Sequence, residues 1–169
     1  MKEKNDPQNI LVSVVMGSDS DLPVMSEATK ILEEFSIGYE LILTSAHRAP
    51  ARTAKFASEA KSRGIKIIIA GAGAAAHLAG VIASHTPLPV IGVPIDATSL
   101  KGMDALLATV QMPGGIPVAT MAIGKAGAKN AAIFAARMLA LSDKGLATKL
   151  DDYIEKMAKD VEAKQEKLS

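Results

Sequence analysis

The stretch IKIIIAGAG, from Ile65 to Gly73, decides the fold of this chain. Its apolar residues form a short, nearly continuous run instead of alternating with polar ones, and glycine follows at once. Such a run is typical of a strand buried on both faces, as in a parallel sheet covered by helices, and it predicts a strand over Ile65–Ala70. Similar runs, bounded by Gly, Pro or Ser, predict further strands over Ile10–Met16, Tyr39–Leu43, Val90–Val93 and Val118–Ile123.

Helical patterns lie between and after these strands. They predict helices over 22–35, 51–63, 126–141 and 144–169. Strands that alternate with helices favour a three-layer α/β/α fold with a central parallel sheet, of the flavodoxin-like or Rossmann-like kind. We expect a single domain over residues 1–169, with a polar N-terminal extension over residues 1–9 and a C-terminal helical tail over residues 144–169.

The last two helices carry surfaces that need a partner. The helix over 126–141 is rich in alanine, which allows close packing either on the chain's own sheet or against another subunit. The last helix has an apolar stripe made of Leu146, Leu150, Ile154, Met157 and Val161. We expect this helix to pack on a neighbouring subunit, the alternative being its own sheet. Surplus apolar surface of this kind predicts a homo-oligomer, because large exposed apolar patches are rare on soluble monomers.

Composition excludes several classes of function. Of 169 residues, 49% are hydrophobic and 22% are charged, and the formal net charge is +1, so neither nucleic acid nor a membrane is an expected partner. Aromatic residues make up 3%, which leaves few platforms for stacking bases. The chain has no cysteine, and its three histidines lack metal-ligand spacing, so we expect no metal site. The polar N-terminus and the absence of thiols fit a cytoplasmic protein.

A hydroxyl, an imidazole and a guanidinium follow the second predicted strand, in Ser45-Ala46-His47-Arg48. The carboxyl ends of parallel strands open into the crevice where α/β folds bind ligands. Arg48 offers a fixed fork for a phosphate or carboxylate, and His47 can move a proton near neutral pH. The segment is therefore a candidate anion anchor beside a proton carrier. The alternative is that His47 only begins a helix and that Arg48 is solvated.

The first strand runs into Gly17-Ser18-Asp19-Ser20-Asp21. Ser and Asp are good N-cap residues, and Pro23 suits a first helical turn, so helix capping is a sufficient explanation for Asp21. A helix N-terminus also favours phosphate. In that interpretation Ser18 donates to a phosphate oxygen, while Asp21 accepts from a sugar hydroxyl because a carboxylate beside a phosphate is unfavourable.

Small residues follow the third strand, in Gly71-Ala72-Gly73-Ala74-Ala75-Ala76-His77. The loop is not a GxGxxG motif, and no acidic residue ends the second strand, so a dinucleotide site is not expected. Its small side chains let the backbone at Gly73 and Ala74 approach a flat ligand. His77 is either a buried helix-start residue bonded to backbone or a direct participant. His85 is expected to be structural, and the uncharged loop over 111–117 is either a buried connector or a lid.

Four ordered motifs resemble those of the bacterial class I N5-carboxyaminoimidazole ribonucleotide mutases of purine biosynthesis. They are Met16-Gly17-Ser18-Asp19-Ser20-Asp21, Ser45-Ala46-His47-Arg48, Gly71-Ala72-Gly73 with Ala75-Ala76-His77-Leu78, and Val110-Gln111-Met112-Pro113 with Pro117-Val118 and Ala122-Ile123-Gly124. The resemblance covers residues 10 to about 141. The family usually has Thr at position 49, Gly at 74 and Pro at 79, where this chain has Ala. Ala74 puts the geometry of its loop in doubt if a left-handed backbone is needed there.

The resemblance implies an isomerase without a cofactor. The family moves a carboxylate from the exocyclic nitrogen of an aminoimidazole ribonucleotide to a ring carbon, by loss and recapture of carbon dioxide. His47 matches its general acid/base, and Ser18, Asp21 and Arg48 match nucleotide-binding positions. Ser45 would join the phosphate anchor, and Gly73, Ala74 and His77 would line the base. The family forms octamers, which would place the last helix on a neighbour.

Two other functions compete with this one. The nearer is an aminoimidazole ribonucleotide carboxylase that uses free carbon dioxide on the same fold; the Gly71-Ala72-Gly73 loop with His77 favours the mutase. The other is a flavodoxin-like binding or signalling module. A phosphorylation receiver needs an Asp at the end of the third strand, where this chain has Ala70-Gly71, and a flavodoxin needs aromatic residues around flavin, of which there are few.

Overall fold

The computed structural model describes residues 9–168. Of the predicted N-terminal extension over residues 1–9, only Asn9 belongs to the described part. Five strands form one sheet in which every pairing is parallel, in the order β2-β1-β3-β4-β5. The strands are β1 (Val12–Met16), β2 (Tyr39–Leu43), β3 (Ile67–Gly73), β4 (Val90–Ile95) and β5 (Ala119–Thr120).

Six helices of the described part connect and cover these strands. They are α1 (Leu22–Glu34), α2 (Pro50–Ala60), α3 (Leu78–His85), α4 (Met103–Val110), α5 (Lys125–Ala140) and α6 (Lys144–Glu166). The predicted three-layer α/β/α fold with a central parallel sheet is confirmed. Helix α4 was not predicted, because its apolar residues Met103, Leu107 and Val110 lie on its exposed side and give no inward-facing stripe.

Two hydrophobic clusters lie on the two faces of the sheet. Side chains alternate along each strand, so Val12, Val14 and Met16 join the cluster under α1, α5 and the start of α6. Val15 points the other way, into the cluster under α2 and α3. Helix α4 packs on this second face, because Thr109 lies over Gly92.

Both edge strands differ from their prediction. The sequence predicted strands buried on both faces, but β2 has one neighbour only, and Leu41 and Leu43 are 45% and 47% exposed. The strand predicted over Val118–Ile123 shortens to the two residues of β5, which pair with Ile91 and Gly92. An edge strand has a partner on one side only, so it is covered less completely and ends sooner.

The alanine-rich helix packs within its own chain. In α5, the side chains of Ala128, Ala131, Ala132, Ala135 and Ala136 are all 0% exposed. Close packing on the chain's own sheet is therefore the correct interpretation of this helix, and packing of those alanines against another subunit is wrong. The small side chains allow α5 to lie against α1 and the strands at short distance.

Helix α6 leaves most of its apolar stripe uncovered. Leu146 and Leu150 are buried against the body of the protein, whereas Ile154, Met157 and Val161 are 46%, 44% and 66% exposed. Lys149 Nζ donates to the carbonyl of Phe35 at 3.1 Å, and the rings of Phe35 and Tyr153 lie 5.4 Å apart. The first half of the helix is thus fixed to the core and the second half extends from it. No helix within residues 9–168 is long and apolar enough to cross a membrane.

The strand order determines where a ligand would bind. The chain moves from β1 outward to β2 and then crosses back to β3 on the other side of β1. At such a switch point the loops after neighbouring strands diverge and leave a crevice at the carboxyl ends. The loops after β1, β2 and β3, which carry the predicted site residues, meet there.

Candidate active site

A cleft of about 320 Å³ opens at this switch point. Its walls come from the segments that follow β1, β2, β3 and β4. The lining residues are Gly17, Ser18, Ser20, Asp21, Ser45, Ala46, His47, Arg48, Ala72, Gly73, Ala74, Ala75, Leu78 and Ala97. All the predicted site residues except His77 are among them, and His77 contacts His47 beside the cleft.

The turn after β1 is organised by its own side chains. Ser18 and Asp21 form a capping box around the short 3-10 turn Asp19–Asp21, in which the backbone N–H of Ser18 donates to Asp21 Oδ2 at 3.0 Å. The hydroxyl of Ser20 donates to Ser18 Oγ at 2.8 Å. Asp21 makes no side-chain bond to the first turn of α1, so the expected capping role is confirmed for the 3-10 turn and not for α1. The carboxylate instead holds the turn that forms one wall of the cleft.

Burial shifts the titration of Asp21. Its side chain is 5% exposed, and this burial raises the pKa of the carboxyl above its usual value. The backbone N–H groups of Ser18 and Gly17 and the nearby Arg48 act in the opposite direction but do not cancel the effect. A carboxylate in this position is suited to accept a hydrogen bond from a ligand hydroxyl.

The turn after β2 is tied to the turn after β1. Ser45 Oγ accepts from the backbone N–H of Arg48 at 3.2 Å, and Arg48 Nη2 donates to the carbonyl of Gly17 at 3.2 Å. Arg48 itself is exposed. Within residues 9–168 its guanidinium makes no other hydrogen bond, so its remaining N–H groups can bind an anion in the cleft.

The two histidines form a pair. His47 Nε2 and His77 Nδ1 lie 2.9 Å apart, and the rings meet edge to face with centroids 5.0 Å apart. His77 is exposed at the N-cap of α3, so the interpretation of it as a buried residue bonded to backbone is wrong. Only one of the two facing nitrogens can carry the proton, which couples the tautomer of one ring to that of the other. His85, expected to be structural, is exposed as the last residue of α3.

The glycine-rich wall has little room. A Cβ atom on Gly73 would lie 2.5 Å from Cβ of Ala97 and 3.1 Å from the carbonyl oxygen of Ile95. The next residue, Ala74, adopts a left-handed backbone with φ of +54°. Position 74 therefore has the left-handed backbone conformation that favours glycine, although the residue there is alanine.

The loop over 111–117 is mostly exposed, and none of its residues lines the cleft. The buried connector is thus the wrong interpretation within a single chain. Ser20 and Ala97 are cleft residues that the sequence did not single out. Within residues 9–168, no group of three or more His, Cys, Asp or Glu residues could hold a metal ion.

The family model described as AIR carboxylase matches residues 11–160. The chain belongs to the AIR carboxylase family. The resemblance noted from the four motifs is therefore confirmed, and the matched residues include every segment that lines the cleft.

Relatives of this chain include a mutase and a carboxylase. The N5-carboxyaminoimidazole ribonucleotide mutase of Pyrococcus horikoshii is 56% identical over 158 residues, which cover 94% of this chain and 88% of that protein. The phosphoribosylaminoimidazole carboxylase of Candida glabrata is 53% identical over 158 residues, but the match covers only 27% of that longer protein. The crystal structure of PurE from Treponema denticola superposes with a TM-score of 0.85 at 29% identity, covering 94% of this chain and 98% of that one.

Proposed function

We propose that this protein is a mutase that converts N5-carboxyaminoimidazole ribonucleotide to 4-carboxy-5-aminoimidazole ribonucleotide in purine biosynthesis. The relative from Pyrococcus horikoshii, which carries the mutase name, matches this chain along nearly the full length of both proteins. The single observation that supports the proposal best is the meeting of His47, Arg48 and two serine hydroxyls in one cleft. The reaction needs an anion anchor, a proton carrier and a small enclosed space together.

The nucleotide would bind across the cleft from its phosphate to its base. Arg48, Ser18 and Ser45 hold the 5′-phosphate, and Asp21 accepts from a ribose hydroxyl. The backbone of Gly73 and Ala74 then lies against the imidazole ring, because this wall has no side chain larger than a methyl group. Fixing the nucleotide in this way makes the carboxylate transfer effectively intramolecular.

The chemistry requires one proton to be given and one to be taken. Protonated His47 gives its proton to the exocyclic nitrogen as the nitrogen–carbon bond of the carbamate breaks, which releases carbon dioxide into the cleft. The nucleophilic ring carbon attacks the carbon dioxide and forms the new carbon–carbon bond. His47, now neutral, removes the hydrogen from that ring carbon and restores aromaticity. The proton count of the enzyme is unchanged after one cycle.

His77 would act through His47. Its Nδ1 lies 2.9 Å from His47 Nε2, so it can fix the orientation of the imidazole and exchange a proton with it between turnovers. His77 also stands at the N-terminus of α3, next to the Gly73–Ala74 wall.

The competing function is a carboxylase that uses free carbon dioxide. The Candida glabrata relative is named a carboxylase. A flavodoxin-like binding module has less support, since the cleft is lined by no Phe, Tyr or Trp. One experiment separates the three. The purified protein is given the carbamate ribonucleotide, and separately its decarboxylated form with bicarbonate, and product absorbance is followed. Fast turnover of the first substrate only is expected; turnover of the second only would establish the carboxylase, and turnover of neither would favour a binding module.

The assembly and location belong to the same proposal. Exposed apolar side chains on α6 and α4, including Val161 and Met103, support a homo-oligomer, and the family resemblance favours an octamer in the cytoplasm. Burial of α6 on a neighbouring subunit would cover the stripe that its own chain leaves open.

A further inference from the structure

The connection from β4 to α4 contributes to the wall of the cleft. This loop, residues 96–102, contributes Ala97 to the cleft lining. Ala97 packs closely on the end of β3, where a Cβ atom on Gly73 would lie 2.5 Å from Cβ of Ala97. Gly73 and Ala97 therefore support each other, and a shift of Ala97 would free the Gly73–Ala74 backbone to move.

The loop is compact and leaves little freedom to its ends. Lys101 and Gly102 both have positive φ, at +51° and +83°. A Cβ atom on Gly102 would lie 3.4 Å from the backbone of Asp96 and 2.6 Å from Ile123. The end of the loop thus packs back on its beginning, which makes its position depend on a small number of contacts.

One carboxylate holds this loop to α4. Thr98 Oγ1 donates to Asp104 Oδ2 at 2.8 Å and accepts from the backbone N–H of Leu100 at 3.1 Å. The second oxygen of Asp104, Oδ1, is buried and has no hydrogen-bond partner among residues 9–168. A buried acceptor without a partner destabilises the fold, so stability alone explains a carboxylate here poorly.

We propose that Asp104 is a positioning residue for the reaction. It acts through Thr98 and Ala97 to hold the Gly73–Ala74 backbone in place against the substrate's base. The inference rests on the proposed function for the identity of that substrate. Since the proposed binding mode assigns the phosphate to Arg48, Ser18 and Ser45 and not to Ala97 or Gly73, loss of the contact should affect the chemical step more than nucleotide binding.

Kinetic tests use isosteric variants. Thr98→Val removes the hydroxyl and should lower kcat for the carbamate ribonucleotide roughly ten- to a hundredfold, as small misplacements do, with KM changed by less than about threefold. Thr98→Ser keeps the hydroxyl donor, and Asp104→Asn keeps an oxygen that can accept from it. Both variants should have a kcat within about threefold of the native value. Thr109→Val, which removes a buried hydroxyl bond from the same helix, is the matched control and should have native kinetics.

A double variant tests the coupling. If Asp104 acts only through Thr98, then Thr98→Val combined with Asp104→Ala should be no slower than the more impaired single variant. The assignment is overturned if the kcat losses of the two single variants multiply in the double variant. It is also overturned if Thr98→Ser, which keeps the hydroxyl, does not have a kcat close to that of the native protein.

Hydrogen exchange gives a readout independent of activity. In Thr98→Val, amides of residues 95–104 and also of residues 70–78 should exchange faster than in the native protein, while residues 45–50 stay unchanged. Faster exchange confined to residues 95–104 would contradict the proposal, because the loop would then not support the Gly73 wall. If the native protein has no activity on the carbamate ribonucleotide, the proposed function fails, but the exchange result still decides the positioning role.

Discussion

In the proposed mechanism, both proton transfers depend on His47. His47→Asn keeps a hydrogen-bonding side chain of similar size but cannot carry a proton at neutral pH. We expect kcat to fall by at least about a hundredfold, the usual range for loss of a general acid/base, with the fold and nucleotide affinity nearly unchanged. Steady-state kinetics and titration of a bound nucleotide measure the two effects. His85→Asn, at the exposed end of α3, is the control, and retention of most activity by His47→Asn would exclude the assignment.

Arg48 should determine affinity for the phosphate. Loss of a charge-assisted hydrogen bond costs about 1.5–3 kcal/mol, or roughly ten- to a hundredfold in affinity. Arg48→Ala should therefore weaken binding of the ribonucleotide far more than binding of the corresponding nucleoside, as calorimetry can measure. Arg52→Ala, in the first turn of α2 and exposed, serves as the control. Equal losses for nucleotide and nucleoside would mean that Arg48 supports the fold instead.

Ala74 carries backbone strain at the cleft. A non-glycine residue with φ of +54° is strained by roughly 1 kcal/mol relative to glycine. Ala74→Gly should raise the free energy of unfolding by about that amount, measured by urea denaturation. Ala75→Gly is a matched control without positive φ and should lower stability instead. A loss of stability in both variants would show that Ala74 is not strained.

At the scale of elements, a partly exposed ion pair ties the end of α2 to the edge of the sheet. Arg63, just beyond α2, binds both oxygens of Glu40 on β2 at 2.9 Å, and Ser13 on β1 donates to the same carboxylate at 2.6 Å. Burial raises the pKa of Glu40, but the bonds from Arg63 and Ser13 outweigh it and hold that pKa below its usual value. Arg63 also lies over the ring of Phe56, 5.4 Å from its centroid.

This ion pair makes stability depend on pH. Because the pKa of Glu40 is lower in the folded state than in the unfolded state, its stabilisation is present at neutral pH and is lost as pH falls through the folded pKa. Arg63→Ala should lower the free energy of unfolding by about 1 kcal/mol at pH 7, since the pair is partly exposed. The difference in free energy of unfolding between the native protein and Arg63→Ala should become smaller below about pH 4. Lys55→Ala, which removes an exposed ion pair with Glu59 at 4.0 Å, is the control and should change the free energy of unfolding little at either pH. A loss of stability in Arg63→Ala that is independent of pH would contradict this account.

The sequence predicted the strands better than it predicted contacts between distant segments. The apolar runs predicted strands β1 to β4, because apolar runs leave a strong local signal, and this placed Ser18, His47 and Gly73 near the carboxyl ends of β1, β2 and β3. The position of Ala97 in the cleft left no such signal, since it depends on the pairing of Gly73 with Ile95 across β3 and β4. The contact of His77 with His47 likewise depends on loops from two strands on either side of β1. Contacts between distant segments follow from register and strand order, which composition does not contain.

At the scale of the whole molecule, the exposed half of α6 should determine assembly. Changing Ile154, Met157 and Val161 together to Ser should lower the mass measured by light scattering, without loss of helical circular dichroism, because each of these side chains is at least 44% exposed in its own chain. Asp152→Ser with Lys156→Ser, on the opposite side of the helix, should leave the mass unchanged. A native protein that is monomeric and fully active would exclude the assembly.

The central claim is that the substrate's own carboxylate is transferred within the cleft. The most direct measurement supplies the ribonucleotide with a carbon-13 label in its carbamate carboxylate, in buffer that contains excess unlabelled bicarbonate, and follows the product by carbon-13 NMR. The proposed mechanism retains carbon dioxide in the cleft, so the native protein should give product that keeps most of the label, and His47→Asn should give little product. Product in which the label has been replaced from bicarbonate would contradict the claim and establish a carboxylase that uses free carbon dioxide.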